Sequence, residues 1–430
     1  MSETRALSNP AARCFKSHGP VLHVGGASVA ELSNRYGTPL FLYDRNALDR
    51  RLDALAAALP HFEIFYSVKA NPTLAILRHF VLRGCGLEIA SAGEFMQALA
   101  AGCPAGNVGE IHIESPREAA RIASFCTLTG CRARVGIRIN PTGDAQGGAM
   151  RMGGKPAPFG VDEEDLDSLV DSLVSTPCFD FRGIHMFVGT QVLDSSVLMT
   201  QYRKAIDLAR HVAWKIGRPL HTVDFGGGLG IPYFTGESEL DLTRLGAEVG
   251  ALMDEVRRDP DFRGTRFVIE PGRFLVGEAG IYVARIIDIK VSRGKKFLIL
   301  DGGMNHHLAA SGNLGQTIKR NYPIALVEKL LEEPEETVDV VGPLCTPLDT
   351  LGRGVHLPKA NVGDLVGIFQ SGAYARTASP LGFLSHATPA EVWVDRGVDF
   401  LIRRPGSTED LFRDVSVPSS LRSTHVTAGN

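Results

Sequence analysis

The chain has 430 residues, 44% hydrophobic, with 45 Lys and Arg against 48 Asp and Glu for a net charge of −3. That length suits one domain of about 250 residues and a second of about 150, and the near-even charge, with no basic tract, excludes an extended nucleic-acid surface. Apolar runs fall short of the roughly 18–20 residues that span a bilayer, and the N-terminus, MSETRALSNPAARCFKSHG, lacks an apolar leader core, so a cytoplasmic protein is expected, with no membrane and no secretion.

The cysteines, Cys14, Cys85, Cys103, Cys126, Cys131, Cys178 and Cys345, make no CxxC pair and are odd in number. A chain of this size needs no disulfide staple, so reduced thiols are the expectation. His306 and His307 are adjacent, but no carboxylate or cysteine recurs beside them at ligand spacing, so no metal site is expected.

In chain order, the first 20 or so residues read as loose, and PVLHVGG as a strand able to join a later sheet. PLFLYD then reads as a strand and ALDRRLDALAAAL as a helix, with Leu48, Leu52, Leu55 and Leu59 on one stripe. HFEIFYSVKAN is a strand, and PTLAILRHFVLRG a helix opened by Pro72, where a missing N–H is harmless. GLEIAS and SAGEFMQALAAG repeat the pair, as do EIHIES and PREAARIASFCTLTG. RARVGIRIN, EEDLDSLVDSLVS, FRGIHMFVG and VLMTQYRKAIDLARHVAWKIG continue it. HTVDFGGG, LTRLGAEVGALMDEVRR and RFVIEPGRFLV close the series. Strands separated by helices need crossover connections, hence a parallel sheet, and the number of units favours an eight-stranded (β/α)8 barrel over residues 40–282.

Beyond residue 282 the texture is mostly β, through YVARIIDIKVS, KKFLILDGG, ETVDVVGPLC, VGDLVGIFQSG and PAEVWVDRG, with one helix expected near YPIALVEKLLEE. The expected division is therefore residues 1–39 contributing to the β domain, a barrel at 40–282, a β domain at 283–420 and a flexible tail at 421–430.

Lys69 ends an apolar strand in which alternation puts Phe65, Ser67 and Lys69 on one face. It would stand at the C-terminal mouth of a barrel, where active sites of this architecture collect. A buried amine of depressed pKa can form a Schiff base with pyridoxal phosphate, whereas a lysine at a strand end can equally be a solvated terminus. FGGGLG, residues 225–230, can bring backbone N–H groups to a phosphate, but it lacks the dinucleotide and Walker spacings. In IEPGR, Glu270 either holds a ring nitrogen or pairs with Arg273 at the surface. Cys345, in GPLCTPLD, is either reactive or a small buried hydrophobe.

Together, YSVKANP, GLEIASAGE, IRINP, HMFVGTQ, DFGGGLG, EPGRFLVGEAG, DGGMN, GPLC and QSGAY resemble, in order, the motifs of the fold-type III pyridoxal-phosphate decarboxylases, which include diaminopimelate and ornithine decarboxylases. The resemblance implies an N-terminal barrel, a C-terminal β domain, pyridoxal 5′-phosphate as cofactor, and a head-to-tail homodimer with sites across the interface. It implies that Lys69 carries the cofactor and Glu270 meets its ring nitrogen. Gly227, Gly228, Gly272, Arg273, Thr190 and Tyr374 would hold the phosphate, and Glu88 and Arg138 would tune the lysine and the phenolic side. Cys345 would enter from the other subunit as the proton donor, while Arg273, Cys345, Asp349 and Tyr374 would face the substrate.

Three departures bear on the substrate. Thr346 stands where diaminopimelate decarboxylases have a glutamate, and Ala309 where they have an arginine. Phe187 replaces a histidine that lies against the cofactor ring. Losing those two charged partners disfavours a second charged centre on the substrate. With DGGMNHHLAASGNLGQ and QSGAYARTASPLGFLSH, they make the chain resemble the branch with the glutamyl-carrier-protein decarboxylase and exosortase-associated proteins. The expected reaction is α-decarboxylation of a specialised amino acid or of a glutamyl group on an acyl-carrier protein. The alternatives are meso-diaminopimelate decarboxylation, a non-catalytic cofactor binder and, less attractively, a racemase.

Overall fold

The computed structural model describes residues 10–421 other than 105, 107, 143–149, 152–155, 188, 235, 315 and 317. The expected tail at 421–430 lies outside the described residues except for Leu421, as do the first nine residues of the segment expected to be loose. The rest of that segment is ordered. Pro10–Phe15 is a short helix that buries Ala11, Cys14 and Phe15, and these pack with Leu22, Val24 and Phe369.

Eight parallel strands curl into the barrel. The hydrogen-bonded path runs from Gly86–Glu88 through Glu63–Ser67, Arg266–Ile269, Thr222–Asp224, Phe179–Met186 and Ala133–Asn140 to Ile111–Ile113. Val161–Asp162 adds a short eighth strand beside the end of Ala133–Asn140. Helices between the strands present their apolar stripes inward. Arg45–Ala58 starts on Asp44, whose carboxylate accepts from the Asn46 N–H, and buries Leu48, Leu52 and Leu55, with Leu59 buried just beyond. Pro116–Thr129 is capped by Ser115, has proline in its first turn, and ends on Gly130 with φ 68°. A left-handed residue there is the usual glycine stop.

Leu40–Asp44 corrects the expected boundary. It is not a barrel strand but lies in the second sheet, antiparallel to Gly280–Ser292 and parallel to Ala390–Asp395. All five of its residues are buried, as a continuous apolar run sandwiched between layers requires. PVLHVGG does not join that sheet. His23–Val24 forms a two-stranded hairpin with Ala27–Ser28, and Leu22 and Val24 cover the sheet's apolar face.

The second sheet has nine strands, including Gly280–Ser292, Lys295–Leu300, Glu336–Val341, Thr350–Leu357, Leu365–Ile368 and Ala390–Asp395. The helix expected near YPIALVEKLLEE does not form. Ile324–Leu326 instead pairs antiparallel with Leu365–Ile368 and Leu326 is buried, so sheet pairing overrides the local helix propensity.

Candidate active site

The strand ends converge on one mouth of the barrel. Ser67 ends its strand and Val68–Ala70 forms a single tight turn, which lifts Lys69 above the rim. Ser67 registers with Glu88 on the neighbouring parallel strand, so both point the same way. The Glu88 carboxylate accepts from Ser67 Oγ at 2.6 Å and from Lys69 Nζ at 2.9 Å. This corrects the expected buried amine of depressed pKa. The Lys69 side chain is 45% exposed. Burial alone would lower its pKa, but Glu88, by charge and hydrogen bond, and Glu270 outweigh that and raise it.

Glu270, just past Ile269, is buried inside the barrel and is not the surface partner of Arg273. Its Oε2 lies 3.4 Å from His185 Nε2. His185 stacks on His112, ring centroids 4.8 Å apart, and Asp224 shares a hydrogen bond with the Glu270 carboxyl. The nearest ligand atoms of His112, His185 and Glu270 all lie within 4.8 Å of one another. Burial would raise Glu270, yet His185, His112 and Asp224 hold it well below the usual carboxylate range. Burial, reinforced by the Glu270 charge, pushes Asp224 well above it. Burial also pulls His112 down to about 3.

The glycine loop lies beside this cluster. Gly226 (φ 64°) and Gly228 (φ 107°) take left-handed conformations on either side of Gly227. A Cβ at Gly227 would stand 2.5 Å from the Glu270 carbonyl oxygen, so only glycine fits so close to that strand. The Gly227 and Gly228 N–H groups donate to no other group among the described residues. Thr190 follows Gly189, whose carbonyl oxygen packs against Gly228, and Phe187 lies over Gly226. Gly272 approaches Ala70 so closely that a Cβ would fall 2.9 Å from the Ala70 methyl.

Arg273 donates from Nη1 to Tyr233 Oη at 2.9 Å, and its guanidinium sits 4.7 Å from the centre of the Tyr374 ring. Its Nε is buried without a hydrogen-bond partner, and no carboxylate pairs with it among the described residues. Tyr374 is held over the mouth with φ 52° by its N–H donating to Ala70 O at 2.8 Å. A bulky residue in that left-handed region is strained, a feature that concentrates at functional sites.

Arg138 is on the far side, bonded to Glu114 at 2.7 Å, with the Phe187 ring 5.9 Å away. The structure gathers Lys69, Glu88, Glu270, Phe187, Gly227, Gly228, Gly272, Arg273 and Tyr374 around one mouth. An amine, a buried carboxylate, two unused successive N–H groups and a guanidinium with no carboxylate partner among the described residues suit an aldehyde-bearing, phosphorylated pyridine ring.

Two other expected positions behave differently. Cys345 is exposed, in the loop after Glu336–Val341, and is neither buried nor disulfide-bonded. Asp349 is buried and does not line an open pocket. Its Oδ1 accepts from Met304 N–H at 2.6 Å and its Oδ2 from Leu344 N–H at 2.9 Å, clamping two turns together. Ala309, where the resemblance implies an arginine, is 4% exposed and packed into the core. His306 and His307 are structural, within reach of Tyr282 Oη and Ser371 Oγ respectively. Sequence reasoning missed His112, His185 and Asp224. The signal was present in EIHIES, GIHMF and TVDFG, where each polar residue interrupts an apolar barrel strand.

A barrel of this kind, with a lysine at its mouth and an anion cradle beside it, defines a cofactor-dependent α/β-barrel enzyme with an appended β domain. The chain belongs to the pyridoxal-dependent decarboxylases: the family model described as "Pyridoxal-dependent decarboxylase, C-terminal sheet domain" matches residues 40–372. It is 36% identical to the L-glutamyl-[BtrI acyl-carrier protein] decarboxylase of Niallia circulans over 91% of this chain and 96% of that protein. It is 30% identical to the diaminopimelate decarboxylase of Methanothermobacter thermautotrophicus, over 93% of this chain and 96% of that protein. The crystal structure of diaminopimelate decarboxylase from M. jannaschii in complex with L-lysine superposes with a TM-score of 0.85 at 25% identity, covering 94% and 97% of the two chains. The protein is thus a decarboxylase whose cofactor is pyridoxal 5′-phosphate. No helix among the described residues is long and apolar enough to cross a membrane.

Proposed function

We propose that the protein removes the α-carboxylate of a glutamyl group carried on an acyl-carrier protein, in the cytoplasm, as a homodimer. The observation that carries this reading is the pair Thr346 and Ala309, where the resembling diaminopimelate enzymes have glutamate and arginine. Ala309 is packed into the core and Thr346 Oγ1 accepts from the Leu348 N–H, so neither offers charge to a distal ammonium or carboxylate. Leaving such charges unmatched costs several-fold to many-fold in discrimination. The similarity to the Niallia circulans enzyme supports the same substrate class.

Bound at the mouth, the cofactor supplies an electron sink for the charge left when carbon dioxide departs. Lys69 would hold it through its amine, with Glu88 supplying charge beside that amine and Arg138 available to the phenolic oxygen. Glu270 would present a carboxylate to the ring nitrogen, and Phe187 would lie against the ring. Gly227, Gly228, Gly272, Arg273, Thr190 and Tyr374 orient the phosphate and exclude water. Cys345, from the second subunit, gives its thiol proton to the α-carbon, so one carboxylate is lost and one proton gained.

Steady-state carbon-dioxide release from a glutamyl thioester on a phosphopantetheinylated carrier, free L-glutamate, meso-diaminopimelate, lysine and ornithine decides the substrate. The carrier-bound glutamyl group should give the highest kcat/KM. A value for meso-diaminopimelate of about 10⁴ M⁻¹s⁻¹ or more that exceeds every tethered candidate would overturn the reading.

A further inference from the structure

Strands Phe179–Met186, Thr222–Asp224 and Arg266–Ile269 lie side by side, with His185 in register with Asp224 and Asp224 with Val268. Residues in parallel register share a face, and Glu270, two beyond Val268, continues it. His185, Asp224 and Glu270 therefore face the barrel interior together, His185 and Asp224 at one level and Glu270 one step further toward the mouth. His112 lies below, in space left by Gly136, and Gly183 lets the neighbouring strands approach closely. A Cβ at Gly136 would meet His112 Cδ2 at 2.7 Å, and one at Gly183 would strike the Thr222 carbonyl.

This level is buried and sparsely bonded. Among the described residues neither ring nitrogen of His185 has a hydrogen-bond partner, although Nε2 comes within 3.4 Å of Glu270 Oε2. Asp224 Oδ1 accepts from the Gly226 N–H at 2.8 Å, and its carboxyl is hydrogen-bonded to that of Glu270. Two buried carboxyls in contact cannot both be ionised and must share a proton. Beyond these, Lys69 and Glu88 act from the rim, Arg138 from Ala133–Asn140, and Glu110 lies 3.9 Å from His112 Nε2 on the opposite side.

We propose that Asp224 and His185 are positioning residues that keep Glu270 a carboxylate and aim it at the ring nitrogen of the cofactor. Asp224 does so by donating from its protonated oxygen, and His185 by presenting an N–H edge. The inference rests on the assignment of Glu270 to that nitrogen made above. The shifts run the same way, with the proton on Asp224 and the charge on Glu270. A neutral donor suffices at position 224, so asparagine should replace aspartate there, which a requirement for a second negative charge would forbid.

The test uses the full-length protein with Asp224→Asn, Asp224→Leu, His185→Phe and Glu270→Gln, each checked for folding by circular dichroism. Two quantities are measured. One is the dissociation constant of pyridoxal 5′-phosphate. The other is the pH titration of the Glu270 carboxyl in cofactor-free protein labelled with 13C-glutamate, its signal assigned by absence in Glu270→Gln. Asp224→Asn should bind cofactor like wild type, within about threefold, and leave Glu270 ionised to low pH. Asp224→Leu and His185→Phe should weaken cofactor binding by about 10- to 100-fold, the range for a lost charge-assisted hydrogen bond. Both should also move the Glu270 titration to higher pH. A loosened glycine loop alone would weaken binding without moving that titration. An unmoved titration in both variants, or Asp224→Asn behaving like Asp224→Leu, would overturn the proposal. If Glu270→Gln binds cofactor as well as wild type, the assignment of Glu270 to the ring fails, while the carboxyl titration still decides what sets its charge.

Discussion

At Lys69, burial and charge pull in opposite directions, and Glu88 decides the outcome. Only the neutral amine attacks an aldehyde, so the acid–base balance at this atom governs how the cofactor is captured. Removing the Glu88 charge leaves burial as the dominant influence and should lower the Lys69 pKa. In Glu88→Gln, the pH profile of cofactor capture, followed by stopped-flow absorbance, should therefore shift toward acid. A profile that stays put or shifts toward alkali would show that Glu88 does not set the charge. Borohydride reduction followed by peptide mapping should place the cofactor on Lys69 in both proteins. Cys345 belongs to the same scale. Its thiol is exposed, and the role we propose for it is to donate a proton and not to anchor the ring. Cys345→Ala should bind cofactor nearly as wild type yet turn over about 10²- to 10⁴-fold more slowly, the usual cost of losing a proton donor. Parallel losses of binding and turnover would instead mark Cys345 as structural.

Among the elements, glycines decide how closely barrel strands approach. A Cβ at Gly183 would lie 1.8 Å from the Thr222 carbonyl oxygen, on the adjacent strand that carries Asp224. That atom is backbone and cannot swing away, so Gly183→Ala should destabilise the fold by about 1–3 kcal/mol or more. Gly250, inside the helix Leu242–Val256, has nothing within 4 Å of its missing Cβ. Gly250→Ala should therefore stabilise by about 0.5–1 kcal/mol through helix propensity. Thermal unfolding of the two variants beside wild type should give shifts of opposite sign. The barrel strands and their helices were legible because each obeys one period, as the buried leucines of Arg45–Ala58 illustrate. Leu40–Asp44 was misassigned to the barrel because a continuous apolar run looks alike in a barrel and in a buried sheet. Ile324–Leu326 was hidden in a helix-forming stretch whose β partner lies 40–44 residues away in sequence. Lys69, Glu270 and the glycine loop could be read from strand ends. The roles of Asp349 and Ala309 could not, because they depend on which backbone N–H groups and core atoms the fold brings to them.

For the whole molecule, the placement of Cys345 raises the question of what completes the site. Cys345 is exposed on the β domain, and nearby Leu348 is 48% exposed. Leu314 is 38% exposed in the adjoining segment, where Asn313 Nδ2 donates to the Leu348 carbonyl and ties the two loops together. An exposed thiol framed by exposed leucines suits a protein interface. Lys69 is on the barrel rim, and the site we propose joins the barrel of one subunit to the β domain of the other. In a two-fold dimer each subunit then lends Cys345 to its partner and receives one in return. The consequence can be counted. A Lys69→Ala subunit retains Cys345, and a Cys345→Ala subunit retains Lys69, so a mixed dimer contains one intact site and one doubly defective site. Random exchange of equal amounts makes half the dimers mixed, and each has one of two sites working, so about a quarter of wild-type activity should return. Sites built within single subunits would give no recovery on mixing, since each subunit would lack one essential group. Subunit exchange must be demonstrated independently, by mass spectrometry of differently tagged chains. Sedimentation should give a dimer for both variants alone, because neither substitution removes apolar interface area. Recovery near a quarter with exchange proven would support shared sites, and its absence under those conditions would sink them.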